Sequence, residues 1–231
     1  MLCDQRRSRG ASTGARLRRG SGTVVVALLV ALTTGGVAVA EREIGTPKND
    51  RIKGSKTRDK LSGKAGNDRI KGLGGNDRIR GGKGNDKLRG GRGRDRVDGA
   101  ADDDLVRGNG GPDQLLGGPG LDVLDGGPAD DRLAGGPDAD PLDGGPGNDS
   151  LDGGPGDDLL TGGEGDDRLE GGPGRDGFGM EDGVELESPG NDVIMARDGT
   201  EDEINCGEGE DMAIVDEIED GVIDCEEVIE P

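Results

Sequence analysis

The sequence predicts an all-β protein built as a β-solenoid, in which short parallel strands stack along one axis. Three observations predict this fold: a nine-residue period from Gly45 to Gly179, an aspartate at the sixth place of every block, and an apolar residue at the eighth. Self-similarity at a fixed period is typical of solenoids. The fifteen consecutive blocks run from GTPKNDRIK at 45–53 to GGPGRDGFG at 171–179.

Residues 1–40 have the pattern of a secretory signal peptide. Six arginines in the first 22 residues precede an apolar stretch at 23–40 that ends in Ala-Val-Ala, and we expect cleavage after Ala40. A membrane anchor is the alternative, but eighteen residues with an internal Thr-Thr-Gly-Gly are short for a span. The pair Arg18-Arg19 leaves open whether export follows the general or the twin-arginine route. We therefore expect a secreted protein with no membrane span in the mature chain and a short linker at 41–44.

Each block of the repeat, 45–179, divides into a turn and a strand. Glycine opens every block and suits a tight turn, because it reaches positive φ without a Cβ clash. The last three residues mostly alternate polar, apolar and polar, as in a short strand that directs one side chain inward. Two blocks then make one coil, and successive coils stack as parallel strands about 4.8 Å apart. The eighth-place residues form the predicted core.

Composition argues against a conventional core. The chain has 50 glycines, one phenylalanine, no His, Trp or Tyr, and a net charge of −21. Such a chain is either a disordered polyanion or is folded by something other than apolar burial, and the unbroken repeat favours the second. Stacked coils bring sixth-place carboxylates together, where they repel one another unless a cation lies between them. Calcium fits that role better than magnesium, because it accepts many oxygen ligands in flexible geometry.

The blocks resemble the RTX (haemolysin-type) calcium-binding nonapeptide, Gly-Gly-x-Gly-x-Asp-x-U-x, where U is large and apolar. The resemblance implies a parallel β-roll that holds several Ca²⁺ ions between the turns of neighbouring coils. Sixth-place aspartates and turn carbonyls supply the ligands in that family, from blocks two apart. Carried onto this chain, the implied metal ligands are Asp68, Asp77, Asp86, Asp95, Asp104, Asp113, Asp122, Asp149, Asp158, Asp167 and Asp176.

Several blocks depart from this pattern at the fourth place. Lys48 and Thr57 fall in the first two blocks and suit a capping end. Asp102 can adopt the left-handed conformation that glycine would adopt there, whereas Ala129 would be strained. Pro141 lies in the strand of its block and removes a donor from the sheet. We expect the best calcium sites at 63–98 and 144–179 and weaker ones between.

Charge divides the chain into a basic and an acidic part. Residues 41–98 carry 18 Lys or Arg against nine Asp or Glu, whereas 99–231 carry five against 40. Most of the basic residues occupy the seventh and ninth places, which are expected to point outward. They form either a solvated face or a surface that docks an anionic polymer such as cell-wall phosphate or polysaccharide. Nucleic-acid binding is not expected, because the mature chain is acidic and lacks stacking aromatic residues.

The segment 180–231 breaks the period and is expected to form degenerate repeats and a short C-terminal β cap. Asp220-Gly221 is a candidate hairpin turn. With Cys3 in the signal peptide, Cys206 and Cys225 remain as a pair in an oxidising compartment, which predicts a disulfide rather than a zinc site. Asp211, Asp216 and Asp220 are either further calcium ligands or acidic surface.

The favoured function is that of a secreted calcium-binding β-roll, structural or surface-interacting, whose folding is coupled to the ion. The first alternative is an adhesin or cell-envelope matrix protein that docks anionic polymers through the basic face of residues 45–98. The second is a hydrolase that uses paired carboxylates. No toxin or enzyme activity is expected, because the chain lacks His and Tyr, has no thiol left to act as a nucleophile, and leaves no room for an effector domain.

Overall fold

The computed structural model describes residues 41–181, 184–185, 191–197, 202–206, 210–215, 221–223, 225 and 227–229. The expected signal peptide, 1–40, lies outside the described residues and stays a prediction. In the part of the chain that is described, no helix has the length and apolar character needed to cross a membrane.

Two parallel sheets contain nearly all the strands, and odd-numbered and even-numbered strands belong to different sheets. The eleven-stranded sheet consists of β1 (Glu41–Ile44), β3 (Asp59–Ala65), β5 (Arg78–Lys83), β7 (Arg96–Ala101), β9 (Gln114–Leu116), β11 (Arg132–Ala134), β13 (Ser150–Asp152), β15 (Arg168–Glu170), β19 (Val193–Ala196), β21 (Met212–Val215) and β23 (Glu227–Ile229). The ten-stranded sheet consists of β2 (Arg51–Lys53), β4 (Arg69–Gly74), β6 (Lys87–Arg92), β8 (Leu105–Gly110), β10 (Val123–Asp125), β12 (Pro141–Asp143), β14 (Leu159–Thr161), β16 (Gly177–Phe178), β20 (Glu203–Asn205) and β22 (Gly221–Ile223). A small antiparallel pair joins β17 (Met180–Glu181) to β18 (Val184–Glu185).

The register confirms the parallel β-roll with two blocks per coil. From β1 to β16, paired residues lie 18 positions apart in the sequence, as Ile70 and Leu88 or Leu133 and Leu151 do. Chain direction is the same in neighbouring strands because each coil returns to the same edge before the next begins. Ten steps of about 4.8 Å give a roll roughly 48 Å long.

The core is a file of single apolar side chains between the two sheets. All fifteen eighth-place residues are buried, each with at most 4% of its surface exposed. Phe178 closes the file of the repeat, and Ile194, Ile204 and Ala213 extend it. The two sheets thus lie close together, with one buried side chain per strand.

Strand length changes along the roll for a local reason. Strands β3 to β8 span six or seven residues, whereas β9 to β15 span three. From Pro119 onward, most blocks have proline at the third place, as at Pro128 and Pro146. Proline has no amide hydrogen to donate to a neighbouring strand. The longer pairing seen between Lys83 and Ala101 therefore ends where these prolines begin.

The described residues of the C-terminal segment form further coils, and their role as a cap stays a prediction. Strands β19, β21 and β23 extend one sheet and β20 and β22 extend the other, so the described residues continue the roll after the regular period ends. The expected hairpin at Asp220-Gly221 is wrong: Asp220 lies outside the described residues, and the strands on either side, β21 and β22, belong to different sheets. The predicted disulfide is present between Cys206 and Cys225, whose Cα atoms are 5.2 Å apart.

Candidate metal centre

The sixth-place aspartates form two ladders, one on each edge of the roll. The backbone N–H of each aspartate donates a hydrogen bond to Oδ1 of the aspartate one coil later, as Asp68 does to Asp86 at 2.6 Å and Asp149 to Asp167 at 2.7 Å. Thirteen such bonds run from Asp50 to Asp176, with N···O distances of 2.6–2.9 Å. All fifteen carboxylates are buried, with at most 4% exposed.

The second oxygen of these carboxylates has no protein partner through most of the repeat. A buried anionic oxygen without a hydrogen bond or a counter-ion is strongly unfavourable, because it has lost its water. Twelve successive residues have such an Oδ2 atom: Asp68, Asp77, Asp86, Asp95, Asp104, Asp113, Asp122, Asp131, Asp140, Asp149, Asp158 and Asp167.

A glycine at the first place of each block leaves space beside that oxygen. A Cβ on Gly117 would lie 2.5 Å from Asp122 Oδ2 and 2.5 Å from the carbonyl oxygen of Gly135 in the next coil. The same two kinds of oxygen converge beside Gly144, where both distances are again 2.5 Å. Carboxylate and carbonyl oxygens are the kinds of ligand that calcium takes. The donor set therefore fits a hard cation held between coils.

Side chains alone do not make a multidentate cluster. Among the described residues, no group of three or more His, Cys, Asp or Glu side chains is placed to hold a metal ion. Main-chain carbonyls must supply the remaining ligands, as the Gly135 oxygen illustrates. This is a donor set for calcium and not for zinc, which prefers nitrogen and sulfur.

In the first two blocks the Oδ2 atom of the ladder aspartate has a protein partner. Asp50 Oδ2 accepts hydrogen bonds from the backbone N–H and the hydroxyl of Thr46, and Asp59 Oδ2 accepts one from the backbone N–H of Ser55. In the third block the second place changes conformation: Lys64 has a φ of +87°, and Asp68 Oδ2 has no partner. The N-terminal coil therefore differs from the rest, as the substitutions Lys48 and Thr57 predicted.

Burial raises the pKa of most ladder carboxyls above the ordinary 3.8, and neighbouring carboxylates on the same edge add to it. The backbone hydrogen bond to Oδ1 opposes this rise only in part, because it favours the ionised form. The pKa is raised to about 7 for Asp104, Asp113, Asp122, Asp131, Asp158 and Asp167. It is raised to about 6 for Asp77, Asp86, Asp140, Asp149 and Asp192.

All eleven aspartates that the sequence singled out lie on the two ladders. Asp131 and Asp140, which were left out because of Ala129, Asp138 and Pro141, lie there too and make the same bonds, at 2.7 and 2.8 Å. Ala129 and Asp138 adopt φ values of +99° and +88°, so the expected left-handed conformation holds despite their side chains. The blocks at 126–143 therefore match the neighbouring blocks in this hydrogen bond.

The ladders also continue beyond the regular repeat. Asp167 donates its backbone N–H to Asp192 Oδ1 at 2.9 Å, Asp176 to Asp202 at 2.8 Å, and Asp192 to Asp211 at 2.8 Å. The nine-residue count missed Asp192 and Asp202, because the spacing lengthens to 25 and 26 residues. Asp211 was named as a candidate, whereas Asp216 lies outside the described residues. A search for aspartate followed two residues later by a buried apolar residue would have found all three.

These features define a class: a parallel β-roll whose edges present files of buried carboxylates suited to calcium. The sequence profile of the RTX calcium-binding nonapeptide repeat matches four stretches of the chain, 44–79, 71–106, 107–140 and 143–178. The chain therefore belongs to the RTX calcium-binding nonapeptide repeat family, and the matches cover more than half of it. No curated protein matches the chain.

Proposed function

We propose that the protein is a secreted β-roll whose folding is coupled to the binding of several calcium ions. One observation carries the proposal: twelve successive buried carboxylates each have an oxygen without a protein partner. A folded chain with these groups ionised is unfavourable unless a cation compensates them. Because an ion that binds only the folded chain stabilises it by mass action, calcium would shift the equilibrium toward the roll.

The proposed place of action is outside the cytoplasm. A cytoplasm poor in calcium would keep the exported chain unfolded, and extracellular modules work at roughly 10⁻⁴–10⁻³ M calcium. The pattern at 1–40 supports export, and the Cys206–Cys225 disulfide fits an oxidising compartment. In this proposal residues 45–179 form the calcium-binding region and 180–231 close its C-terminal end, with no catalytic role for either part.

A calorimetric calcium titration tests the proposed ligands. Asp68 and Asp86 are neighbours on one ladder, and so are Asp149 and Asp167. Changing all four to alanine removes both carboxylates of each pair, and we expect fewer bound ions. The matched control changes four exposed acids, Glu164, Glu170, Glu210 and Glu227, to alanine and alters the net charge equally. If both variants bind as many ions as the wild type, the ladder carboxylates do not hold calcium.

A second candidate function is docking on an anionic polymer through the basic part of the roll. It is favoured by the exposure of the seventh-place and ninth-place cations, which include Arg51, Lys53, Arg69, Lys71, Arg78, Arg80, Lys87 and Arg89. Exposed charges of one sign attract a polyanion and accelerate its association. This function is compatible with the first, because the cations lie on the strands and the carboxylates lie in the turns.

A further inference from the structure

A long groove follows one edge of the eleven-stranded sheet, above the ladder that contains Asp77, Asp95 and Asp113. Its volume is about 810 Å³, within the range of ligand sites. The lining residues come from the fifth, sixth and seventh places of alternate blocks, between Arg58 and Ser150. Because alternate blocks lie in successive coils, the groove runs parallel to the roll axis for roughly 24 Å. Its shape suits a linear molecule that lies across several coils.

Five arginines and five aspartates line the groove, and most of its exposed charges are arginines. All five arginines that line it are exposed, and none of them makes an ion pair within the described part of the chain: Arg58, Arg78, Arg94, Arg96 and Arg132. Four of the five lie in its N-terminal half. Asp130 is the one lining acid outside the buried ladder, and it accepts a hydrogen bond from the backbone N–H of Asn148. An anion would therefore find its counter-ions toward the N-terminal end.

Three amide side chains complete the polar lining. The side-chain oxygens of Asn76 and Asn148 accept backbone N–H groups of Arg94 and Asp166, and that of Gln114 accepts from Arg96. Their amide nitrogens are left as donors. The groove thus offers guanidinium groups, which fork onto carboxylates, beside amides, which donate to hydroxyl and ring oxygens.

The same lining argues against a neutral ligand. The chain has no Trp or Tyr, and its one Phe, Phe178, is fully buried, so an aromatic platform for sugar rings is lacking. Charge must then supply the affinity. A linear polysaccharide with one carboxylate per ring would present repeated charges along the length of the groove.

We propose that this groove binds a linear polyuronate, a polysaccharide with a carboxylate on each sugar ring, with its chain parallel to the roll axis. This inference rests on the second candidate function and narrows it from the whole basic part of the roll to one groove. Carboxylates pair with the arginines, and the amides of Asn76 and Gln114 donate to the sugar oxygens. Calcium on the ladder beneath would lower the repulsion from the buried carboxylates of Asp77, Asp95 and Asp113.

The test uses fluorescence anisotropy to measure the binding of a short, end-labelled oligogalacturonate to the full chain in millimolar calcium. The groove variant changes Arg58, Arg78, Arg94 and Arg96 to glutamine, and binding is expected to weaken by about tenfold or more. The matched control changes four cations on the other sheet, Arg69, Lys71, Lys87 and Arg89, to glutamine as well. It removes the same amount of positive charge. It is expected to weaken binding by no more than about threefold, through the general field alone.

A second variant, Gln114→Glu, adds a negative charge within the groove and leaves every arginine in place. It is expected to weaken binding by about threefold or more, which supports the proposal even if the fourfold variant does not fold. Equal loss in the groove and control variants would overturn the groove and leave general polymer docking standing. If the wild type does not bind the oligogalacturonate, both the groove and general polymer docking are wrong. The proposal of calcium-coupled folding would not be affected. Polyphosphate binding as tightly as oligogalacturonate would overturn the assignment to a sugar carboxylate.

Discussion

From the third block onward, one carboxylate oxygen of the sixth-place aspartate stabilises the metal-free roll, and through Asp167 the other destabilises it. Oδ1 of Asp113 accepts the backbone N–H of Asp95 at 2.7 Å, which links two coils. Oδ2 of the same residue is buried without a protein partner. The carboxylate is therefore placed for a cation, and the metal-free chain carries an unfavourable charge at every coil.

Replacing Asp113 by asparagine separates these two effects. Asn keeps an oxygen for the bond from Asp95 and removes the buried charge. We expect the free energy of unfolding of the metal-free chain to rise by about 1–2 kcal/mol, while calcium binds more weakly. Thermal unfolding at several calcium concentrations, extrapolated to zero calcium, measures both changes. Glu164→Gln, at an exposed acid, should change neither; the account fails here if Asp113→Asn destabilises the chain at the zero-calcium limit.

Backbone conformation at the second and fourth places is the other residue-scale feature. The fourth place was expected to be left-handed, and Ala129 is, with a φ of +99°. From the third block onward the second place is left-handed as well, even at Leu73 and Lys64, with φ values of +88° and +87°. The sequence did not reveal this, because Lys, Leu, Ala and Asn take that place in four of these blocks.

Ala129→Gly should stabilise the roll by about 0.5–1 kcal/mol. Relief of the left-handed strain outweighs the extra entropy that glycine gives the unfolded chain. The reverse change at the equivalent place, Gly120→Ala, should destabilise it, because the new Cβ would lie 2.6 Å from the carbonyl carbon of Asp102. Denaturant unfolding in saturating calcium measures both. Destabilisation by Ala129→Gly would show that this turn is not strained.

At the scale of elements, the strands were the most predictable part of the molecule. Their number, register and inward residues follow from the period, because Leu88, Val106 and Leu124 recur every 18 residues at one height in the sheet. The coils after Gly179 could not be counted, since the sequence segments before Asp192 and Asp202 are longer and their glycines no longer mark a period. What persists there is the short relation between a buried aspartate and the apolar residue two places on.

Pro141 provides a test of the strand pairing. Leu159 donates its backbone N–H to the Asp140 carbonyl at 3.0 Å, and Ser150 donates to Asp131 at 3.1 Å, whereas Pro141 has no hydrogen to donate to Asp122. Pro141→Ser should raise the free energy of unfolding by about 0.5–1.5 kcal/mol. Ser150→Pro removes the corresponding bond in the other sheet and should lower it. The pairing argument is contradicted if the two changes have the same sign in denaturant unfolding.

At the scale of the whole molecule, the ladders couple folding to protons as well as to calcium. The pKa values of carboxyls such as Asp104 and Asp158 are raised from 3.8 to about 7, so the folded, metal-free chain binds protons that the unfolded chain does not. The contribution of these carboxyls to the stability of the metal-free chain is therefore greatest below about pH 4. This contribution is lost as the pH rises through 6 to 7.

We expect the metal-free chain to be more stable at pH 5 than at pH 8. The folded fraction in chelator at each pH, followed by circular dichroism, measures the difference. In saturating calcium the order should reverse, because protons compete with the ion for the same oxygens. Greater stability of the metal-free chain at pH 8 than at pH 5 would mean that the buried carboxylates are compensated by something other than a proton or a cation.

The central claim is that cations between the coils, more than the single file of apolar side chains, hold the roll together. Its most direct test is the hydrodynamic radius of residues 41–231 with the disulfide intact, measured in chelator and across a calcium titration at pH 8. We predict an expanded chain in chelator that contracts cooperatively to a compact roll as calcium is added. A radius that is equally compact in chelator and in calcium would contradict the account.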